Sequence, residues 1–397
     1  MNLATFAETT PFVTPATLPP LSLYVHWPWC VRKCPYCDFN SHALHARSPS
    51  ESEDAYLQAL VRELSTIAPW SAGRRFETVF IGGGTPSLME GRTVEALLTA
   101  IDRTVGLATN AEITMEANPG TVEADRFAAY RAAGVNRLSM GIQSFQDEKL
   151  QKLGRIHSVA DAMRAIELAH QSFDNFNLDV MFGLPTESMA DLTFELETAI
   201  AAGATHLSFY QLTIEEGTTF AKRLPAGLPD EDQLADMTDV VEATLAAAGF
   251  EHYEVSGYAK PGHRCRHNLN YWTYGDYLAI GAGAHAKVST PEGILRYRDY
   301  ANPLRYMTRV TETGRGEEER FTVATDEVPF EFMLNALRLV EGVTTESFTA
   351  RTGLPLTVIA PQLTQLRADG FLVTDESRIA TTEKGLRFLS DVQEAFL

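Results

Sequence analysis

The chain has 397 residues with a formal net charge of −19, and 45% of its residues are hydrophobic and 21% charged. This length allows one large core and a smaller companion domain, and the composition is ordinary for a soluble globular protein. The acidic balance disfavours nucleic acid and anionic membranes as main partners, because both favour basic surfaces.

Residues 1–20 are rich in threonine and proline and predict an extended lead-in. This segment lacks the basic start and continuous apolar run of a secretory signal. No stretch reaches the roughly 20 apolar residues of a membrane helix, so a cytoplasmic, reducing location is expected. Three of the four cysteines fall within eight residues, which favours metal ligation over a disulfide framework.

Apolar runs alternate with amphipathic segments over residues 21–230, and glycines at Gly134 and Gly203 suit helix C-terminal caps. Nearly continuous apolar runs predict strands at residues 22–29, 78–83, 112–118, 137–144, 177–184 and 206–212. Helical periodicity predicts helices at residues 54–67, 93–102, 124–133, 160–171 and 191–202. Six successive β/α units indicate an α/β fold, a partial (β/α)6 TIM-like barrel.

A barrel extension is predicted for residues 231–320, with a helix at 231–248, a strand at 252–259 and a polar-aromatic stretch at 265–277. The charged run TETGRGEEER at 311–320 predicts a solvated loop or linker. Residues 321–397 suggest a winged-helix-like domain. The pattern predicts helices at 328–339 and 356–368, a hairpin from 371–373 and 378–381, and a closing helix at 383–397. No basic stripe accompanies it, so packing or partner docking is favoured over DNA binding.

The strongest chemical signal is Cys30, Cys34 and Cys37, which directly follow the first predicted strand. That position is the barrel end at which chemistry occurs. Three thiolates in one loop can hold three irons of a [4Fe–4S] cluster and leave the fourth iron for another ligand. Arg32 and Lys33 lie between the first two cysteines, and we expect them to lower the thiol pKa values and offset the cluster charge.

A zinc site is the alternative for the same cysteines, with His26 or His42 as the fourth ligand. The cysteine spacing alone leaves this alternative open.

The Cys-x3-Cys-x2-Cys spacing, with aromatic Tyr36 before the last cysteine, resembles the radical S-adenosylmethionine (SAM) superfamily. More closely, YVHWPWCVRKCPYCDFNSH at 24–42 is similar to the HemW-type haem chaperones, relatives of oxygen-independent coproporphyrinogen III oxidase. The resemblance extends from about residue 21 to the C-terminus. It implies SAM bound at the open iron, with haem as cargo.

Polar residues at the ends of later strands complete a candidate SAM site. A polar group in an apolar strand is costly to bury without a partner, and one such residue alone is usually a satisfied core group. The glycine turn GGGTPS at 82–87 lacks the lysine of a phosphate-binding loop. The resemblance assigns to SAM the residues Tyr24, Tyr36, Gly83, Gly84, Thr85, Glu116, Gln143, Arg155 and Asp179.

Two departures from the oxidase put coproporphyrinogen decarboxylation in doubt. Phe39 stands where the oxidase has another cysteine, and only about twenty residues precede the first strand. A second element resembles the haem element of the chaperones and comprises His267, Asn268, Tyr271 and Trp272. The alternative is a buried histidine within an aromatic core, and nearby Cys265 is either a bystander or a competing ligand. His157, His252 and His285 are expected to be structural.

Two functions follow as hypotheses. The first is a haem chaperone that transfers haem to haem proteins, with cluster and SAM in a regulatory or structural role. The second is a radical enzyme whose cluster cleaves SAM to a 5′-deoxyadenosyl radical that abstracts hydrogen from a tetrapyrrole propionate. The implied partners are haem, haem-accepting proteins with peripheral contact to membrane haem proteins, and an electron donor if SAM is cleaved.

Overall fold

The structure is a computed structural model that describes residues 17–121 and 124–397. The predicted extended lead-in therefore lies outside the described residues except for residues 17–20. Among the described residues, no helix combines the length and apolar character that crossing a membrane requires.

Twelve strands of the described chain form one mixed sheet, in the order β12-β11-β10-β9-β1-β2-β3-β4-β5-β6-β8-β7. In chain order they are β1 (Leu21–Trp27), β2 (Phe76–Gly83), β3 (Leu107–Ala117), β4 (Arg137–Gln143), β5 (Phe176–Phe182), β6 (His206–Gln211), β7 (Glu251–Glu254), β8 (Gly257–Ala259), β9 (Asp276–Ile280), β10 (His285–Thr290), β11 (Gly293–Asp299) and β12 (Glu317–Thr322). Strands β1 to β6 pair in parallel in sequence order, and β9 adds a further parallel strand beside β1. The remaining pairings are antiparallel.

Helices connect the parallel strands, and polar residues fix several helix starts. Each of three residues, Ser158, Ser188 and Asp230, accepts a backbone N–H and forms a capping box at the start of the helix that follows it. Gly134 and Gly203 have φ of 114° and 72°, which confirms their predicted capping positions. The α-helices up to residue 313 are α1 (Glu53–Ile67), α2 (Gly91–Thr104), α3 (Ala124–Ala133), α4 (Asp147–Lys152), α5 (Val159–Ser172), α6 (Met189–Ala201), α7 (Thr219–Lys222), α8 (Glu231–Ala247), α9 (Arg266–Trp272) and α10 (Pro303–Thr313).

The α/β partial barrel predicted from the sequence is confirmed, and each of its six strands overlaps its predicted span. In the described chain the sheet has two ends, at β12 and β7. Buried apolar side chains such as Val25, Ile81 and Met115 form the main hydrophobic core together with the inner faces of the helices.

Two predictions for residues 231–320, the strand at 252–259 and the loop at 311–320, need correction. The single strand at 252–259 is two strands, β7 and β8. The polar-aromatic stretch at 265–277 contains α9 and the start of β9. The charged run at 311–320 is not a loop: it closes α10 at Gly314 and then forms β12. Its acidic side chains are the exposed face of an edge strand, where charge discourages pairing with another chain.

The C-terminal region has its own hydrophobic cluster, centred on Phe332, Phe348 and Leu363. Its helices are α11 (Val328–Ala336), α12 (Thr345–Thr352), α13 (Ala360–Ala368), α14 (Glu383–Arg387) and α15 (Leu389–Glu394). Strand Val343–Thr344 pairs with Arg378–Ile379, and Leu372 pairs with Thr381 as the hairpin prediction required. The closing helix is two short helices rather than one. The exact domain boundaries stay predictions.

Candidate cofactor site

A cavity of about 530 Å3 runs through the inside of the barrel. Strand β4 shows the extent of the cavity. Alternate residues of this strand, from its first to its last, line the cavity: Arg137, Ser139, Gly141 and Gln143. At about 3.3 Å per residue, these six steps span roughly 20 Å. We call the end beside the strand C-termini the upper end, and the end beside Arg137 and α9 the floor.

The cysteine loop, residues 30–42, closes the upper end. Its first and last residues pair as two short parallel strands, Trp29–Cys30 with His42–Ala43. Cys30, Cys34 and Cys37 all line the cavity as free thiols. Their sulfur atoms lie 3.8 Å from the His42 carbonyl oxygen, 3.8 Å from the Gly154 carbonyl oxygen and 3.9 Å from the Ser41 hydroxyl. Within the described residues, no group of three or more His, Cys, Asp or Glu side chains is arranged to hold a single metal ion.

Lys33 acts on the Cys30 and Cys37 thiols in the expected direction, but burial outweighs its effect on their pKa values. Burial raises the pKa of the Cys30 and Cys37 thiols, and the charge of Lys33 offsets only part of this effect. The Lys33 ammonium donates a 2.7 Å hydrogen bond to the Phe39 carbonyl, which turns it toward the backbone of the loop.

The two histidines of the zinc alternative already have other partners. His26 forms hydrogen bonds through both ring nitrogens, to the Tyr24 hydroxyl at 2.9 Å and to the Asn40 carbonyl at 2.8 Å. His42 Nε2 lies 3.1 Å from the Asn40 side-chain oxygen and 3.2 Å from the Ala301 carbonyl. These bonds disfavour His26 as a zinc ligand and occupy one nitrogen of His42.

The glycine turn after β2 lies directly against the cysteine segment. The backbone N–H of Gly84 donates to the Trp27 carbonyl at 2.7 Å, and that of Thr85 donates to the Trp29 carbonyl at 2.8 Å. A Cβ atom at Gly84 would lie 2.5 Å from the Trp29 carbonyl oxygen. Glycine is therefore required here for contact between two chain segments, and Gly83, Gly84 and Thr85 also line the cavity.

Glu116 and Asp179 meet inside the cavity, as predicted from their strand positions. Glu116 Oε2 accepts the backbone N–H of Gly83 at 3.0 Å. Burial, and then the charge of Asp179, raise the pKa of Glu116 to about 8. Asp179 accepts from Asn177 at 2.8 Å and from Ser139 at 3.0 Å, yet burial still raises its pKa. Two adjacent carboxyl groups of this kind suit a cationic or hydroxyl-bearing ligand.

Gln143 is turned into the same space by an unusual backbone. Its φ is 70°, in the left-handed region, and the pairing of β4 with β5 shifts register between Gly141 and Gln143. A bulge of this kind re-aims a side chain, and non-glycine residues in this conformation are concentrated at functional sites. Glycine at position 141 leaves space for the Gln143 side chain, since a Cβ atom there would lie 2.9 Å from Gln143 Nε2.

Arg155 links this group to the cysteine loop. Its guanidinium donates to the Gly141 carbonyl at 2.7 Å and lies 3.9 Å from Cys34 Sγ and 3.5 Å from the Tyr36 hydroxyl. Its Nε is buried without a hydrogen-bond partner among the described residues. Tyr36 lines the cavity, whereas Tyr24 does not: it hydrogen-bonds His26 and stacks against Phe80. The cavity thus unites the predicted SAM residues except Tyr24.

The second predicted element, 267–272, forms α9 across the floor. His267 is 1% exposed, and its ring nitrogens lie 2.7 Å from the Thr78 hydroxyl and 2.9 Å from the Tyr271 hydroxyl. Burial lowers the pKa of His267 to about 3. Trp272 packs against the C-terminal cluster beneath the Arg338 guanidinium, and only Asn268 lines the cavity. These contacts favour the structural interpretation of His267, and its haem role stays a prediction.

The remaining cysteine and histidines have neighbours of their own. The Cys265 thiol donates to Glu112 at 3.7 Å, and burial raises its pKa to about 12, as expected of a bystander rather than a thiolate ligand. His157 Nε2 lies 3.0 Å from the Ile142 carbonyl, and His252 stacks on Tyr258.

Sequence reasoning missed a belt of polar residues on the inner faces of β4, β5 and β6. These residues line the cavity below the predicted set and comprise Arg137, Ser139, Asn177, His206 and Ser208. Their spacing by two within each strand was the available signal, because alternate residues of a barrel strand point inward. The face of these strands that meets the helices is apolar, whereas the inner face is mostly polar, with Met181 of β5 as an exception.

Comparison with known proteins agrees with this geometry. Residues 24–197 match the radical SAM superfamily, and residues 323–388 match the HemN C-terminal domain. The chain is 49% identical over 382 residues to the heme chaperone HemW of Escherichia coli K12, across 96% of this chain and 99% of that protein. The chain belongs to the HemW family. Another HemW relative, from Haemophilus influenzae, is 45% identical across 96% of this chain and 98% of its own length.

The HemW-type resemblance seen in the cysteine motif is thereby confirmed. Among solved structures, coproporphyrinogen III oxidase (HemN) from Escherichia coli, described as a radical SAM enzyme, superimposes with a TM-score of 0.80 at 24% identity. The superposition covers 96% of this chain and 90% of that enzyme, and it shows a shared fold.

Proposed function

We propose that this HemW-family chain binds a [4Fe–4S] cluster and SAM at the upper end of the cavity, and that it binds haem and transfers it to haem proteins. One observation carries the cofactor part. The three thiols of the cysteine loop line the same cavity as the carboxyl, amide and guanidinium groups of later strands. The haem part is supported by 49% identity to a relative named as a haem chaperone.

The cysteine loop fits a cluster with three protein ligands. Cys30, Cys34 and Cys37 are free thiols that line one cavity, and the sulfur of each has a different polar neighbour. The Arg155 guanidinium lies against Cys34 and would offset the negative charge of thiolate ligands. The pKa of the Cys30 and Cys37 thiols is raised by burial, so metal binding would have to displace protons that are held firmly.

The groups above the polar belt fit SAM. A bound cluster, once reduced, would supply an electron to the SAM sulfonium. Arg155, with an unpartnered Nε, would hold the SAM carboxylate, and the turn at Gly83 to Thr85 would meet its amino group. Glu116, Gln143 and Asp179 would orient the ribose and adenine, while the surrounding strands exclude water.

Haem binding at His267 would require a change at the floor. Both ring nitrogens are hydrogen-bonded in the conformation described, so iron ligation would have to break the bond to Thr78 or the bond to Tyr271. Tyr271 and Trp272 are partly exposed but do not line the cavity. We therefore propose Asn268, which already faces the cavity, as the most accessible member of this group.

Anaerobic reconstitution tests the cluster first. Cys37→Ser should lose the brown iron–sulfur absorbance, whereas Cys265→Ser should keep it, because Cys265 is buried outside the cavity. Haem titration of the reconstituted protein, followed by transfer to apo-myoglobin as a generic acceptor, then tests the chaperone function. A protein that binds no haem, or that binds haem but never releases it to the acceptor, would contradict the proposal.

A tetrapyrrole enzyme is the second candidate, and the presence of the whole SAM residue set apart from Tyr24 in one cavity favours keeping it. Phe39, 56% exposed on the cysteine loop, occupies the position of the oxidase's additional cysteine and disfavours it. Coproporphyrinogen turnover should be measured in the same preparation. A rate of about 1 s⁻¹ or more, ordinary for an enzyme, would replace the chaperone with this alternative.

A further inference from the structure

Arg137 is a buried cation with unused hydrogen-bond donors. It is 2% exposed, begins β4, and lines the floor of the cavity. Its Nε is buried without a partner, and in residues 17–121 and 124–397 no carboxylate oxygen lies within the 4.0 Å of an ion pair. A guanidinium in such surroundings is costly unless something pairs with it.

The two carboxylates whose charges act on Arg137 are engaged elsewhere. Glu112 and Asp179 both attract the Arg137 charge. However, Glu112 accepts the backbone N–H groups of Arg266 at 3.2 Å and His267 at 3.1 Å. Asp179 is held by its own partners on β4 and β5. Neither carboxylate therefore uses the donors of Arg137.

Asn268 provides a second unpaired group at the same end. Its side chain lines the cavity and forms no hydrogen bond with any residue that the structure describes. It lies next to His267, whose N–H donates to Glu112, and Glu112 is one of the charges that act on Arg137. A guanidinium and a carboxamide thus face one space from β4 and α9.

We propose that Arg137 and Asn268 form a carboxylate-binding site at the floor, separate from the cysteine loop. A guanidinium fork matches the two oxygens of a carboxylate, and the amide N–H of Asn268 can donate to one of them. A carboxylate brings one negative charge near Glu112 and Asp179, whereas a phosphate dianion brings two, so repulsion from these side chains favours the carboxylate. The carboxylate belongs either to a tetrapyrrole propionate, which rests on the proposed function, or to a small free acid.

The test uses the cluster-reconstituted protein and four variants. Arg137→Gln removes the charge, Arg137→Lys keeps the charge but removes the fork, and Asn268→Ala removes the amide. Arg75→Gln is the matched control, because Arg75 is an exposed arginine just before β2, at the same end of the barrel but outside the cavity. Thermal unfolding without ligand comes first. Arg137 makes no hydrogen bond or ion pair within the described residues, although nearby charges attract it, so Arg137→Gln should change Tm no more than Arg75→Gln does. A fall of several degrees relative to that control would show a structural role and overturn the proposal.

Two probes distinguish the sources of the carboxylate. The wild type and Arg75→Gln should each bind haem at least about tenfold more tightly than they bind haem dimethyl ester. Arg137→Gln should bind the two ligands equally. Sodium propionate, compared with sodium chloride at equal ionic strength, should raise Tm only where Arg137 is present if the ligand is a small acid. If neither probe separates Arg137→Gln from Arg75→Gln, the site does not exist. If the wild type binds no haem at all, the proposed function fails while the propionate comparison still tests the site.

Discussion

The titration of Glu116 can be used to measure how much the candidate cofactor site lowers the stability of the fold when SAM is absent. Burial and the charge of Asp179 raise the pKa of Glu116 from 4.5 to about 8. Because the folded value lies above the unfolded one, the protonated carboxyl stabilises the fold. That stability is complete below about pH 4.5 and is lost as the pH rises toward about 8. At about 1.4 kcal/mol per pH unit, the loss is at most about 5 kcal/mol, a ceiling because water can enter the cavity.

Glu116→Gln removes the titration but keeps an oxygen that can accept the Gly83 N–H. We expect cluster-loaded, SAM-free Glu116→Gln to unfold at the same temperature as the wild type near pH 5 and at a higher temperature at pH 8.5. Thermal unfolding by circular dichroism across this range measures the difference. Glu95→Gln, on the exposed face of α2, is the control and should follow the wild type at every pH.

At pH 8.5, where Glu116 is ionised in the wild type, the same variant should bind SAM less tightly if the carboxylate contacts the ligand as proposed. A substitution that raises the unfolding temperature and weakens SAM binding identifies a residue that serves ligand binding rather than core packing. If the unfolding temperatures of Glu116→Gln and wild type stay parallel from pH 5 to pH 8.5, Glu116 carries no raised pKa and this reasoning is wrong.

Three further predictions concern other parts of the chain. Gly84→Ala should displace the backbone of the cysteine segment, where the new Cβ would lie 2.5 Å from a carbonyl oxygen, and should lower the iron content after reconstitution as measured by iron analysis. His267→Ala and Thr78→Val both break the same 2.7 Å hydrogen bond, so both should lower Tm. Only His267→Ala should weaken haem binding if the imidazole is a ligand, and equal haem affinity in both would make it structural. Burial and the charge of Glu63 raise the pKa of Asp299 well above its usual range, so Asp299→Asn should gain Tm over the wild type as the pH rises from 4 to 8.

The barrel half of the fold could be predicted because its signals are local. Each parallel strand is an apolar run followed by a helical period, and the overlap with the observed strands is close. The sheet extension from β9 to β12 could not be predicted in the same way. Strand β12 reads EEERFT, and its exposed charges look like a loop unless the pairing partner in β11 is already known.

The upper end of the candidate site was also predictable, since the polar residues there follow strand ends and match a family motif. Gln143 illustrates the remainder. The sequence singles out Gln143 as a polar residue on a predicted strand. Its inward orientation, however, depends on a bulge and a φ of 70° that no local pattern specifies. Arg137 was overlooked because a charged residue at the start of a strand usually marks the edge of an element rather than a cavity wall.

The floor of the cavity shows why a sequence motif can single out a group of residues without fixing the role of each one. The helix α9 has seven residues, and its side chains meet three different environments. His267 is enclosed beneath β2, Asn268 faces the cavity, and Leu269 and Trp272 pack against the C-terminal cluster. Helical spacing sends neighbouring residues to different sides, so a run that reads as one haem element becomes three separate contacts. A ligand that displaced Asn268 would therefore act on the same short helix that contacts the C-terminal cluster, and ligation by His267 would still have to break its bond to Thr78 or to Tyr271.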